Sequence, residues 1–322
     1  MSDPRPSGAG AAPLRLGTRG SALALAQSGA IARRVEATGV PVESVVIRTS
    51  GDRLVDVSLA KVGGKGLFLK EIEEALAAGE VDFAVHSMKD VPADLPAGFA
   101  IAAVPEREDV RDVLVAREPL SGDPLASLPR GARVGTGSLR RHALLRSLRP
   151  DVEVVAMRGN VDTRLRKLRD GDFDAIVLAS AGLRRLGLDV GAIPLDPTRF
   201  LPAPGQGALA LEVRAGDDRT AALLAPLHDP GALAACEAER SFLRELGASC
   251  QVPVAAHASA AGDGSSRLDG LVASLDGRTV LRDAVPFRPG DAREAGARLA
   301  RILLDRGARV ILDEAEREVG SV

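Results

Sequence analysis

Residues 67–90 read Leu-Phe-Leu-Lys-Glu-Ile-Glu-Glu-Ala-Leu-Ala-Ala-Gly-Glu-Val-Asp-Phe-Ala-Val-His-Ser-Met-Lys-Asp. Leu67 to Ala78 reads as a helix, and Gly79 suits the left-handed residue that closes one. Val81 to Val85 then reads as a strand. It ends in a turn, His86-Ser87-Met88-Lys89-Asp90, that sets a cation beside an acid. Upstream the same alternation holds. Leu14 to Gly17 is a strand. Ser21 caps a helix with an apolar stripe through Leu23, Leu25, Ile31 and Val35, and Val45 to Arg48 is a second strand. Strands alternating with helices imply an α/β fold with a parallel sheet.

Downstream the alternation restarts. Val113 to Ala116 and Arg133 to Gly135 are strands, and Ser138 caps a helix running to about Leu148. Val152 to Met157 is a strand, Asn160 caps a helix over Val161 to Arg169, and Phe173 to Leu178 is a further strand. A charged connection at 106–111 and a Pro/Gly-rich one at 194–207 read as two crossings between the halves. The last ninety residues differ: a helix from Leu233 to Leu246, strands near 252–258, 267–274 and 279–285, then a helix over about 291–304. That order indicates a small α+β domain. The expected division is 1–107 with 208–228, then 108–207, then 229–322, with residues 1–13 a disordered tail.

The cations are the strongest functional signal. Net charge is near zero, with 42 Lys and Arg against 44 Asp and Glu, so no general attraction to nucleic acid or membrane is expected. Yet cations sit in turns: Arg19, Lys61 and Lys65, Lys89, Arg140 and Arg141, and Arg158. Strand ends are where α/β folds place ligands. Arg140 and Arg141 occupy the first helical turn after Ser138, where the helix dipole disfavours cations, so an anion beside them would offset the repulsion. Over residues 130–169 basic side chains outnumber acidic ones eleven to three. Arg158 and Arg164 flank the next turn, and arginine's planar fork suits carboxylates. A small ligand bearing several carboxylates or phosphates is implied.

Other classes are disfavoured. The Lys61–Gly66 stretch lacks the P-loop spacing and reads as a lid or a solvated loop. With seven Phe and neither Trp nor Tyr, aromatic platforms for single-stranded nucleic acid are scarce. Histidines 86, 142, 228 and 257 show no metal-ligand spacing, so no metal is expected. No signal peptide or membrane-spanning run is visible, which makes a cytoplasmic protein the expectation. Asp90 is either a functional carboxylate or a turn cap before Val91-Pro92. Cys250, in a loop, is either a reactive thiol or a small buried hydrophobe, whereas Cys236 lies within a helix and reads as buried.

Several strings resemble the porphobilinogen deaminase family. They are Leu-Ala-Lys-Val-Gly-Gly-Lys-Gly-Leu-Phe at 59–68, Val-His-Ser-Met-Lys-Asp-Val-Pro at 85–92 and Gly-Thr-x-Ser-Leu-Arg-Arg at 135–141. Arg-Gly-Asn-Val-x-Thr-Arg at 158–164, Ala-Gly-Leu-x-Arg-Leu at 181–186, Gly-Gln-Gly-Ala at 205–208 and Cys-Gln-Val-Pro at 250–253 complete the set. The resemblance implies two periplasmic-binding-protein-like α/β domains joined by a double crossing, plus a C-terminal α+β domain. It implies a monomeric enzyme that joins four porphobilinogen molecules into hydroxymethylbilane with loss of ammonia. A dipyrromethane cofactor would be held by a thioether to Cys250. Lys89, Ser138, Arg140, Arg141, Arg164 and Arg185 would hold the cofactor's carboxylates, and Arg19, Ser21 and Arg158 those of the substrate. Asp90 would be the catalytic carboxylate, and Lys61, Lys65 and Phe68 would belong to a lid. The rival reading is a non-catalytic solute-binding protein for a small polycarboxylate, which explains the arginines but neither Cys250 nor Asp90.

Overall fold

The computed structural model describes residues 12–49, 69–248, 252–261 and 264–320. The first sheet has five strands: β1 (Leu14–Arg19), β2 (Val42–Ile47), β3 (Phe83–Ser87), β4 (Phe99–Ala103) and β10 (Leu209–Arg214), in the order β2-β1-β3-β10-β4. The second is built from β5 (Asp112–Ala116), β6 (Arg133–Thr136), β7 (Glu153–Ala156), β8 (Ala175–Ala179) and β9 (Ile193–Pro194), in the order β7-β6-β8-β5-β9. The two orders are the same pattern.

Neither sheet is wholly parallel, contrary to the expectation from the sequence. β10 runs antiparallel to both β3 and β4, and β5 antiparallel to both β8 and β9. The reason lies in the crossings. β1, β3 and β4 end at one edge of their sheet, and the chain leaves from that edge. It enters the other sheet at the corresponding edge, so the first strand after each crossing runs backwards. β5 follows the first crossing and β10 the second.

Helices form where local chemistry favours them. α1 (Ala22–Glu36) is capped by Ser21, whose side chain accepts the Ala24 N–H at 3.3 Å. α2 is Lys70–Ala77, and Gly79 beyond it has φ +71°. α3 (Leu139–Leu148) is capped by Ser138, and α4 (Val161–Arg169) by Asn160, which accepts the Thr163 N–H at 2.9 Å. α5 is Ser180–Arg185 and α6 is Asp218–Leu224.

The C-terminal part is a three-stranded antiparallel sheet, β11 (Val254–Ala260), β12 (Ser266–Ala273) and β13 (Val280–Phe287), with helices α7 (Pro230–Glu245), α8 (Ala292–Asp305) and α9 (Ala308–Gly320). Phe242, Leu268, Leu299 and Leu303 centre its core. It also supports both sheets. Ala255 and Leu271 pack with Leu114, Leu144 and Phe200 beneath the second sheet. Ala232 and Cys236 pack with Met88, Val91, Val104 and Ala208 beside the first. No helix among the described residues is long and apolar enough to cross a membrane.

Candidate active site between two strand-end turns

β3 ends in a single 3₁₀ turn, Met88–Asp90. Met88 is fully buried and its N–H donates to Ala208 O at 3.0 Å. Gly205, with φ +72°, lies against this turn: a Cβ there would come within 2.7 Å of Met88 Cγ and 3.1 Å of the Lys89 nitrogen. Only glycine permits that approach. The anchoring leaves Asp90 exposed and Lys89 half-buried. His86 instead points into the protein, its Nε2 2.9 Å from Glu212 Oε2 in a buried pair.

Across the crossings, Arg140 and Arg141 enter the site from the first turn of α3. Both are buried, and both turn to one carboxylate, Asp112, at the start of β5. Arg140 Nη1 donates to Asp112 Oδ2 and to Leu201 O, each at 2.7 Å. Arg141 reaches Asp112 Oδ1 through Nη2 at 2.8 Å and Nε at 3.1 Å, and gives Nη1 to Val177 O at 2.9 Å. The anion implied by two arginines at a helix start is therefore supplied in part by the chain itself. Burial would raise the Asp112 carboxyl, but the two guanidiniums outweigh it and hold it well below the usual carboxylate range.

Gln206 joins the two turns. Its side-chain amide donates to Asp112 Oδ1 at 2.9 Å and to Val110 O at 2.8 Å, while its Oε1 accepts from Lys89 Nζ at 3.3 Å. Burial, then the charge of Arg141, lowers Lys89 to about 8, against the pull of Asp90 and Asp112. Arg164, on α4, is lowered to about 10 by burial and then by Arg141, with Asp90 opposing. Its Nε donates to Gly159 O at 2.8 Å. Lys89, Arg140, Arg141 and Arg164 thus share two carboxylates, Asp90 and Asp112. The Nε of Arg140 is buried without a hydrogen-bond partner among the described residues.

The other candidates surround this cluster at differing range. Arg185 Nη2 donates to Gly207 O at 2.6 Å, next to Gln206. Ser138 caps α3, and Arg158 is exposed in the turn after β7. Arg19 is half-buried at the end of β1, and Ser21 is occupied as the cap of α1. α1 approaches α5, with Leu23 Cδ2 3.8 Å from where a Cβ on Gly182 would lie. Lys61, Lys65, Phe68 and Cys250 lie outside the described residues.

Asp112, Gln206, Arg107 and Glu239 were not singled out by their types. Gln206 stands in the Gly-Gln-Gly-Ala string, which was the available signal for it; Arg107 stands in the charged connection at 106–111, and Asp112 and Glu239 stand in unremarkable runs. Among the described residues no group of three or more His, Cys, Asp or Glu could hold a metal.

A profile described as "Porphobilinogen deaminase, dipyromethane cofactor binding domain" matches residues 14–222, and "Porphobilinogen deaminase, C-terminal domain" matches residues 233–305. The chain belongs to the porphobilinogen deaminase family. The porphobilinogen deaminase of Syntrophobacter fumaroxidans is 55% identical over 307 residues, covering 94% of this chain and 98% of that one. That of Syntrophotalea carbinolica is 52% identical over 302 residues, covering 93% and 95%. A solved periplasmic substrate-binding protein of an ABC transporter from Coxiella burnetii is 17% identical, with a TM-score of 0.40, covering 68% of this chain and 94% of that one. Membership of this family makes the chain an enzyme, a transferase, with a dipyrromethane cofactor, and disfavours the solute-binding reading.

The cation cluster fits such a cofactor. A dipyrromethane built from porphobilinogen carries acetate and propionate groups. The site offers four cations against two carboxylates, with a buried Arg140 Nε left without a partner. Added carboxylates would complete both the charge and the hydrogen bonding.

Proposed function

We propose that the chain condenses four porphobilinogen molecules head to tail into hydroxymethylbilane, releasing ammonia, and is primed on a dipyrromethane joined to Cys250. The observation that carries the reading is the unbalanced cation cluster gathered around one exposed acid, Asp90. Lys89, Ser138, Arg140, Arg141, Arg164 and Arg185 would hold the cofactor's carboxylates, and Arg19, Ser21 and Arg158 those of the incoming substrate. When bound, the dipyrromethane supplies the pyrrole end to which substrate units are added.

Asp90 has the chemistry for the difficult step. Breaking the substrate's C–N bond develops positive charge on its pyrrole. A fixed carboxylate can accept the pyrrole N–H and offset that charge as it forms. It can also carry a proton to or from the reacting group. The neighbouring cations hold the substrate's own carboxylates apart from it. Lys61, Lys65 and Phe68 would close over the site and limit water.

Cys250 is supported as the attachment point by the state of the chain's other cysteine. Cys236 is buried in α7, and burial pushes its thiol up to about 12, so it is not a nucleophile near neutral pH. The division into residues 1–107 with 208–228, 108–207 and 229–322 is supported by β10, which returns after the second crossing to the first sheet. The enzyme would act as a cytoplasmic monomer on a small substrate, with no nucleic-acid or membrane partner.

Intact-protein mass spectrometry, followed by peptide mapping, tests the reading. A dipyrrole adduct on Cys250 is expected. An active protein without that adduct would overturn it.

A further inference from the structure

Arg240 lies on α7, away from the cation cluster in sequence, yet it grips the chain just beyond Asp90. Its Nη1 donates to Val91 O at 3.1 Å, and its Nη2 to Pro92 O at 2.7 Å and Ala93 O at 3.0 Å. These are the three residues that follow Asp90. Among the described residues Arg240 forms no ion pair, and burial lowers its pKa from the ordinary arginine value. A poorly solvated guanidinium spent wholly on three carbonyls is an expensive way to hold a surface segment. It is justified where the position of that segment matters.

The same face of α7 makes a second contact. Ala232, Cys236 and Arg240 are four residues apart, so they lie in one row along the helix. Ala232 and Cys236 pack with Met88 and Val91, the residues that bracket Lys89 and Asp90. Gly205 presses on the turn beside Met88 and Lys89. The Asp90 turn is thus enclosed by a glycine of the second crossing and a row of α7, with Arg240 fixing its exit.

We propose that Arg240 is a positioning residue for the reaction: by holding the carbonyls of Val91, Pro92 and Ala93 it sets where the Asp90 carboxylate stands among the cations. The inference rests on Asp90 being the catalytic carboxylate. Misplacing a reacting group by about 1 Å can cost on the order of 100-fold in rate, so a loosened turn is felt in catalysis before it is felt in the fold. Arg244, one helical turn further, provides the contrast. It binds Asp94 and shares Ala93 O from an exposed position, and its hydrogen bonds among the described residues include neither Val91 O nor Pro92 O, the two carbonyls nearest Asp90.

The experiment compares Arg240→Ala, Arg240→Lys, Arg244→Ala and Asp90→Asn in the cofactor-loaded full chain. Dipyrrole content, melting temperature, kcat and KM are measured for each. Arg240→Ala is expected to keep its adduct and lose roughly 10-fold in kcat, with KM within about 2-fold. Arg240→Lys should recover part of that loss, because an ammonium lacks the fork that spans several carbonyls. Arg244→Ala should keep kcat within about 2-fold. Wild-type kcat in Arg240→Ala, with Asp90→Asn inactive, would overturn the inference alone. So would a loss no larger than the unfolded fraction explains, shared equally by Arg244→Ala. An active Asp90→Asn would instead overturn the catalytic reading of Asp90. If Arg240→Ala does not fold, Arg240→Lys decides: a lowered kcat at unchanged KM supports the inference, and wild-type kcat overturns it.

Discussion

Arg107 meets Glu239 two-to-two, whereas Arg140 and Arg141 share the single carboxylate of Asp112. Both clusters are buried and both touch the crossings between the sheets, the first through Arg107 and the second through Gln206 and Leu201 O. Arg107 gives Nη1 and Nη2 to the two oxygens of Glu239 at 2.8 and 2.9 Å, and its Nε to Gln206 O at 2.9 Å. Glu239 also accepts the N–H of Gly205 at 2.6 Å and of Ala258 at 2.8 Å. That cluster is neutral and satisfied, and it ties both crossings to α7 and β11. The Asp112 cluster retains positive charge and an unpartnered Arg140 Nε. A balanced buried pair holds chain to chain; an unbalanced one is left with charge to spend on a ligand.

The sharpest way to break this contrast is to neutralise each acid in turn. Asp112→Asn leaves two buried guanidiniums without their counter-charge, and Glu239→Gln leaves one. Each is expected to lose about 3–5 kcal/mol in denaturant unfolding. They should part in the cofactor. Asp112→Asn should have almost no dipyrrole by intact mass, while the folded fraction of Glu239→Gln keeps it. Equal loss of dipyrrole in both would erase the distinction.

A smaller effect follows from Lys89. Its folded pKa of about 8 lies below its ordinary 10.5, so between those values the unfolded chain binds more protons. Stability of the cofactor-free protein should therefore rise as pH goes from about 8 towards 10, by on the order of 1–2 kcal/mol. Below about pH 8 the penalty is fully present. In Lys89→Met the rise should vanish, and bound dipyrromethane should reduce it. A cofactor-free wild type whose unfolding midpoint does not rise over that range would show that burial and the neighbouring arginines do not depress Lys89.

The smallest effect is expected at Cys236. Cys236→Ala removes one buried sulfur from the contact with Met88 and Val91, at about 1 kcal/mol. It should leave the dipyrrole adduct in place. Loss of the adduct would show that the two cysteines had been assigned in the wrong order.

Capping was legible because it is local. Ser21, Ser138 and Asn160 cap the helices they precede, each through a side chain accepting an N–H three residues on. The helix at 161–169 was legible to the residue for the same reason. Phe99–Ala103 and Leu209–Arg214 were not read as strands. The second is paired on either side by strands far away in sequence. Missing them hid the antiparallel strand of the first sheet, whereas β5 was legible as a strand and only its pairing with β8 and β9 reveals its direction.

What the sequence by itself determined is the inventory: alternating elements, two crossings, and cations placed in strand-end turns, one of them, Lys89, next to Asp90. Those follow from periodicity, caps and residue type within a few positions. Only the tertiary structure decided who answers the cations. Asp112 is 28 residues from Arg140, and Arg240 is 149 from Val91. Partners at that range are chosen by how the sheets and α7 pack. No local pattern records that choice, so the sequence showed where charge would gather and the fold settled how much of it was left over.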